Sequence, residues 1–333
     1  MYNVRVKRLN EDIKTKQFKQ MYLLYGEENY LKRQYKRNLT QALLAVGDTM
    51  NYAYYEGKKV AINDVMDLAE TMPFFAERRL LVLEDTGLFK SGGGDFAEYL
   101  ENLPETTYFI FVESEVDKRS KIYKTVKTKG HVEELSFQDQ ETLKKWIFQL
   151  VRKEGKQIET ITINHFLHKV GTNMENIISE MEKLFSYTYE RDRITKEDVD
   201  KVCVTEIGNH VFEMVSAVAE GKQKKALDLY YELLALKEPP MRILFLMTRQ
   251  YRILLQVKEL VKSRYNRQEI AGKIGLPPFV AGKYMDQVRG FKSARLRRIL
   301  EQGADLEERV KKGLLQDNLA VELFIVENTS INF

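Results

Sequence analysis

Five short apolar runs alternate with stretches of helical spacing through the first 137 residues, and after Phe137 such runs stop. The runs are Met21–Tyr25, Tyr52–Tyr55, Arg79–Leu83, Thr107–Val112 and Val132–Leu135. Thr107–Val112 is the strongest, being rich in aromatic and β-branched side chains. Strands separated by helices return to the same end of a sheet, so the alternation predicts a parallel sheet with helices on its faces. Between the runs, Glu27–Val46 places Leu31, Tyr35, Leu39 and Leu43 on one helical face. Ile62–Ala69 reads as a second helix, with Asn63 or Asp64 near its start as a cap. Ser91-Gly92-Gly93-Gly94 reads as a flexible loop, Phe96–Leu103 as a short helix ending near Pro104, and Lys118–Lys127 as a basic helix.

From Gln140 onward the periodicity is helical. Gln140–Glu154, which carries the only tryptophan, Trp146, is followed by Ile163–Val170, Met174–Ser186 and Lys196–Val202. Thr195 with Asp198 three residues on is a helix-start pattern. Longer helices follow over Val211–Ala219, Gln223–Leu236, Met241–Ser263, Arg267–Ile274, Val280–Arg289, Ser293–Lys312 and Asn318–Phe324. Pro239-Pro240 and Pro277-Pro278 mark breaks between them. The expected fold is therefore α/β followed by all-α, in three parts: 1–137, a small helical part 138–208, and a longer helical part 209–333.

With 44% hydrophobic and 31% charged residues, the 333-residue chain has the composition of a soluble globular protein of two or three domains. No apolar run approaches the roughly 20 residues needed to span a bilayer, and Met1–Lys19 is too polar for a signal peptide. A single cysteine, Cys203, excludes internal disulfides and cysteine-based metal clusters. Together these features predict a cytoplasmic protein. The net charge of +4 is unevenly spread: Arg249–Lys312 holds 16 Lys and Arg against 7 Asp and Glu, a net +9, and the remainder 37 against 42, a net −5. That bias fits contact with an anionic partner, nucleic acid first, or merely solvated helix faces.

Catalytic chemistry is hard to find. A nucleotide-binding α/β domain carries its phosphate loop directly after the first strand, where backbone amides and a lysine meet the phosphates. This chain has Gly26-Glu27-Glu28-Asn29-Tyr30-Leu31-Lys32 there: one glycine, no Gly-Lys-Ser/Thr, and two carboxylates where an anion would lie. His165 and His168 share a helix face but lack a third ligand in pattern, and Cys203 fits a small core position better than a nucleophile. Glu133-Glu134 and Glu307-Glu308 read as solvated pairs. No catalytic residue, metal site or cofactor is assigned.

One turn stands out. Met72-Pro73-Phe74-Phe75 lies between a helix that Pro73 ends and the third apolar run. Two aromatics on a turn fit an anchor for a partner's pocket; the alternative is that one of them packs under the sheet.

Several segments together carry a family resemblance: Tyr22-Leu23-Leu24-Tyr25-Gly26-Glu27-Glu28 with Tyr30-Leu31, Met72-Pro73-Phe74-Phe75-Ala76-Glu77-Arg78-Arg79-Leu80, Asp117-Lys118-Arg119-Ser120-Lys121-Ile122-Tyr123-Lys124, Glu180-Met181-Glu182-Lys183-Leu184, and Val211-Phe212 with the helices after it. In these the chain resembles the delta subunit family of bacterial DNA polymerase III, the wrench of the sliding-clamp loader. The resemblance implies an AAA+ fold of α/β domain, helical lid and helical collar, with a phosphate loop degenerate at Gly26, Glu27, Glu28, Asn29 and Lys32. It implies that Thr128-Lys129-Gly130 stands where related subunits carry a Ser-Arg-Cys arginine finger, so that the chain neither binds ATP nor completes a neighbour's ATP site. It implies a clamp-binding role for Met72, Pro73, Phe74 and Phe75; the family's usual pair is Leu-Phe, so Phe74 widens the anchor. The implied partners are the clamp (beta), the gamma/tau and delta prime subunits in a hetero-pentamer, and primer–template DNA through the complex, with no membrane. Arg249, Arg252, Arg289, Arg295, Arg297 and Arg298 are candidates for contact with DNA or with neighbouring subunits. Two other readings stay open: an active ATPase, for which Glu84-Asp85 after the third run supplies half of an acidic motif, and a stand-alone basic DNA-binding protein.

Overall fold

The computed structural model describes residues 7–91, 93–204 and 207–330. Residues 1–6, Gly92 of the expected glycine loop and the last three residues of the expected C-terminal part lie outside them. The chain divides into two compact units, 1–138 and 139–333.

The first unit runs α1 (Lys7–Thr15), β1 (Met21–Tyr25), α2 (Asn29–Leu43), β2 (Tyr52–Glu56), α3 (Ile62–Glu70), β3 (Arg79–Glu84), α4 (Gly94–Tyr99), β4 (Thr107–Glu113), α5 (Lys121–Lys129) and β5 (His131–Glu134). The five strands form one parallel sheet in the order β2-β3-β4-β1-β5. β1, β3 and β4 lie inside the sheet and are buried nearly throughout, which is why they read as continuous apolar runs. One layer of core joins Leu23, Leu81, Phe109 and Phe111 of the sheet to Val65, Phe96 and Ile122 of the helices. Phe96 meets both Phe109 and Phe111 edge-on, at centroid distances of 5.8 and 6.2 Å.

The ends of some helices differ from expectation. Neither Asn63 nor Asp64 caps α3: Ala61 occupies the cap without a side-chain bond, and Asp64 sits in the first turn, where a carboxylate favours the helix dipole. α5 begins three residues later than its basic run, because Ser120 caps it by accepting from the Tyr123 amide at 3.3 Å. Asp117 holds the preceding turn by accepting from the Arg119 amide at 2.9 Å. The amphipathic α1, with Leu9 buried, precedes the first strand and went unread in the sequence.

The second unit comprises α6 (Gln140–Lys153), β6 (Gln157–Ile158), α7 (Thr160–Val170), α8 (Met174–Tyr187), β7 (Arg193–Ile194), α9 (Lys196–Val202), α10 (Ile207–Ala219), α11 (Gln223–Ala235), α12 (Pro240–Lys262), α13 (Arg267–Ile274), α14 (Pro278–Gln287), α15 (Ser293–Lys311) and α16 (Asp317–Ser330). β6 and β7 pair in parallel, so strand structure does not end at Phe137. Two residues each, half of them charged or polar, leave no apolar run to detect. The large core of α10–α16 closes around Met214, Tyr230, Met247, Tyr251, Leu254 and Phe324. α16 extends past Phe324 because Asn328 and Thr329 bond back to the Phe324 and Ile325 carbonyls at 2.7 Å, so both polar side chains are satisfied while buried. Among the described residues no helix is long and apolar enough to cross a membrane.

Candidate functional site

The turn between α3 and β3 is hydrogen-bonded along its backbone and open in its side chains. α3 stops at Glu70, and the Thr71 hydroxyl bonds back to the Leu68 carbonyl at 2.7 Å. Arg79, at the start of β3, is buried and turns its guanidinium to the turn: Nε donates to the Thr71 carbonyl at 3.2 Å and Nη2 to the Met72 carbonyl at 2.9 Å. From the other side, buried Asn51 grips Phe74 twice. The Phe74 amide donates to Asn51 Oδ1 at 2.6 Å, and Asn51 Nδ2 donates to the Phe74 carbonyl at 2.9 Å. Asn51 is itself oriented by Asp48, whose carboxylate accepts from its side-chain and backbone N–H groups at 2.9–3.1 Å. Those bonds from Asn51 hold the Asp48 carboxyl below its usual range.

With the backbone so held, the side chains have nowhere to bury. Phe74 is 56% exposed and Phe75 94%, their rings edge-on at 4.6 Å, and Met72 is exposed beside them. Neither phenylalanine packs under the sheet. Pro73 is half-buried and ends the helix. Phe75 has a left-handed backbone, with φ at +47°. Sequence reasoning missed Asp48, Asn51 and Arg79: Asn51 meets Phe74 across 23 residues, and no local pattern announces such a contact.

The segment after β1 has the location of a phosphate loop, but two of its amides are already engaged across the sheet end. The Gly26 amide donates to the Glu113 carbonyl at 3.3 Å and the Glu28 amide to the Leu135 carbonyl at 2.9 Å. Glu28 is the N-cap of α2, accepting from the Tyr30 amide at 3.2 Å, so a carboxylate of the chain occupies the place where a helix N-terminus would receive an anion. Burial pushes the Glu28 carboxyl up, and burial pushes the Lys32 ammonium down against the pull of Asp85, Glu84, Glu113 and Glu28. Lys32 Nζ lies 3.5 Å from the Glu113 carbonyl. Glu27 and Asn29 line the cleft outside with Tyr25, Lys118 and Glu134. The acidic pair after β3 is also engaged: Glu84 pairs with Lys36 and accepts from the Tyr54 hydroxyl at 3.0 Å, and Asp85 accepts from the Ser114 amide and hydroxyl at 3.0 and 2.8 Å. At the end of α5, Thr128 bonds back to the Lys124 carbonyl, the Lys129 ammonium reaches the Glu101 carbonyl, and Gly130 packs so closely that a Cβ would lie 2.4 Å from the Met21 carbonyl oxygen.

Of the six arginines singled out, Arg249, Arg252, Arg289, Arg297 and Arg298 are exposed. Arg289 pairs with Asp286 at 3.4 Å. Arg295 is committed inside the unit, where it donates to the Asn328 carbonyl at 2.7 Å and lies over the Phe291 ring. His165 faces Asp200 and His168 faces Glu213, each with a single carboxylate. Burial pushes the Cys203 thiol up to about 12, which leaves it inert.

The chain as a whole is similar to known proteins. Residues 22–136 match the family model described as DNA polymerase III, delta subunit, and residues 208–328 match the model for the C-terminal domain of the DNA polymerase III delta subunit. DNA polymerase III subunit delta of Bacillus subtilis (strain 168) is 26% identical over 319 residues, covering 92% of each chain. Probable DNA polymerase III subunit delta of Aquifex aeolicus (strain VF5) is 22% identical over 269 residues, covering 77% of this chain and 75% of its own. The structure of the Bacillus subtilis DNA clamp loader delta protein superposes with a TM-score of 0.82 at 24% identity, over 97% of this chain and 98% of that one. Sequence on both sides of the small helical segment and a shared fold along nearly the whole length agree: the chain belongs to the DNA polymerase III delta subunit family.

Proposed function

We propose that this chain is the wrench of its clamp loader: a non-catalytic cytoplasmic subunit that docks on one face of the sliding clamp (the beta subunit) through Met72, Pro73, Phe74 and Phe75 and favours the clamp's open state. The observation that carries this reading is the turn itself, two exposed phenylalanines on a backbone pinned from below by Asn51 and Arg79. Burying an exposed phenylalanine contributes about 1.5–3 kcal/mol, and a turn already fixed loses little entropy on docking. Opening follows by linkage, since a ligand shifts the clamp between closed and open states only by its differential affinity for the two.

In this reading the chain neither binds nor hydrolyses ATP. Two of the amides that would face a phosphate, those of Gly26 and Glu28, donate to the Glu113 and Leu135 carbonyls, and Glu28 caps the helix an anion would need. Nucleotide then acts in the neighbouring gamma/tau and delta prime subunits of a hetero-pentamer. Residues 1–137 form the AAA+-like clamp-binding domain, 138–208 the lid and 209–333 the collar that assembles with those subunits. Arg249, Arg252, Arg289, Arg297 and Arg298 would meet primer–template phosphates or neighbouring acids once the complex forms.

Binding of the purified chain to its own organism's sliding clamp tests the reading. The Phe74→Ala/Phe75→Ala double variant is expected to lose about 3 kcal/mol, roughly a hundredfold in Kd. Equal binding by both forms would remove the turn from the interface. The basic C-terminal third favours one rival, a stand-alone DNA-binding protein; strong, steeply salt-dependent DNA binding by the isolated chain would support that rival, and micromolar ATP binding would support an active ATPase.

A further inference from the structure

Beside the Met72–Phe75 turn stands a second apolar limb. The loop between α2 and β2 carries Val46 and Met50, both exposed on a connection that packs neither into the core. This loop and the 74–78 segment line one cleft together, with Leu43 of α2. Asp48 and Asn51 belong to the same loop, and they are the residues that hold Phe74. One asparagine therefore fixes the two limbs to each other, with its amide donating to the carbonyl and accepting from the amide of a single residue. Exposed apolar residues scattered singly need no explanation, but four of them, Val46, Met50, Phe74 and Phe75, around one cleft and joined through the buried Asn51 form a patch.

We propose that the α2–β2 loop is the second limb of the docking surface, that Val46 and Met50 close on the partner beside Phe74 and Phe75, and that Asn51 is the positioning residue that keeps both limbs in register. The occupant is the sliding clamp, because this patch is continuous with the turn proposed to dock it; the inference rests on that reading. The surface then takes an apolar ridge of the clamp into the cleft as well as presenting two rings to a clamp pocket. Rigid coupling fits this role, since a platform held in its bound shape loses less on association than two independent loops.

The test is the affinity of the full chain for its sliding clamp in three variants. Phe74→Ala/Phe75→Ala probes the turn alone, and Val46→Ser/Met50→Ser probes the loop. Both loop side chains are exposed, so the loop variant is expected to keep the wild-type melting temperature, and its Kd is expected to rise about tenfold. Asn51→Ala is expected to weaken binding by a similar factor in the wild-type background and to have almost no further effect once Phe74 and Phe75 are alanine, because its action passes through the turn. Unchanged affinity of Val46→Ser/Met50→Ser beside a large loss in the turn variant would overturn the second limb and leave the turn standing. Unchanged affinity of the turn variant would remove the docking site itself, and the second limb with it. An Asn51→Ala loss of equal size in both backgrounds would reduce Asn51 to general stability.

Discussion

At Phe75 the chain holds a phenylalanine in the left-handed region, φ +47°, where a Cβ costs roughly 1–2 kcal/mol. Apart from its edge-on contact with Phe74, the ring is almost wholly in solvent, so little packing within the chain offsets that cost. Asparagine tolerates this conformation far better. Phe75→Asn is therefore expected to leave thermal stability unchanged or slightly raised while weakening clamp binding at least about tenfold; a melting curve beside a binding isotherm checks both halves. Gly26 makes the complementary case. Its φ is +122°, and a Cβ there would lie 2.6 Å from the Leu135 carbonyl oxygen, which the Glu28 amide already holds at 2.9 Å. Gly26→Ala is expected to cost about 2 kcal/mol or more in urea unfolding. The sequence displayed Gly26 plainly as the lone glycine of a lapsed phosphate loop; its steric reason, the backbone of Leu135 just past β5 and 109 residues away, was visible only in the fold. The phenylalanine pair was likewise legible as a turn with aromatics, but its two possible fates were decided by Asn51 and Arg79, whose grip on the turn leaves no periodicity to read.

Among the elements, those with a strong core face were the legible ones. β1, β3 and β4 are buried nearly along their length and announce themselves as apolar runs, and α2 buries the Leu31, Tyr35, Leu39 and Leu43 stripe its spacing predicts. Elements held by hydrogen bonds instead of apolar burial were missed or mis-bounded, as β6, β7 and the last turn of α16 illustrate. α9 lies between these cases, since its reciprocal cap is written in the sequence. Thr195 accepts from the Asp198 amide at 3.3 Å, and the Asp198 carboxylate accepts from the Thr195 amide at 2.9 Å and from Arg191 at 2.9 Å. Burial alone would raise the Asp198 carboxyl, but the Thr195 amide, the Arg191 guanidinium and the Thr195 hydroxyl together hold it below its ordinary 3.8. A carboxylate whose folded pKa is depressed contributes stability that is complete above the unfolded value near 4 and is lost as pH falls through the folded value. Asp198→Ala is accordingly expected to cost about 1–2 kcal/mol at pH 7 and measurably less near pH 2, in urea unfolding followed at both values. An equal cost at both would assign the effect to packing.

At the scale of the whole molecule, each of the two compact units holds an apolar cluster of its own. The buried members of the cluster around the sheet lie between Met21 and Val126 and those of the large helical cluster between Val211 and Ile325, with the boundary between the compact units at Gln138 and Asp139. A unit with an apolar cluster of its own has the first thing it needs to fold alone, and 138 residues lie in the ordinary range for a domain. Every residue assigned to docking, on either limb and in the pins beneath, lies in the first unit: Val46, Asp48, Met50, Asn51, Met72, Pro73, Phe74, Phe75 and Arg79. The fragment 1–138 is therefore expected to unfold in a single cooperative transition and to bind the sliding clamp within about threefold of the full chain, a difference of roughly 0.6 kcal/mol, while 139–333 does not bind it. Calorimetry of each fragment and clamp titration of both check this together. A folded 1–138 that fails to bind would place an essential part of the interface in the helical unit. An unfolded one would mean that the sheet depends on the helical unit for its stability, and that clamp-binding surface and assembly surface form together.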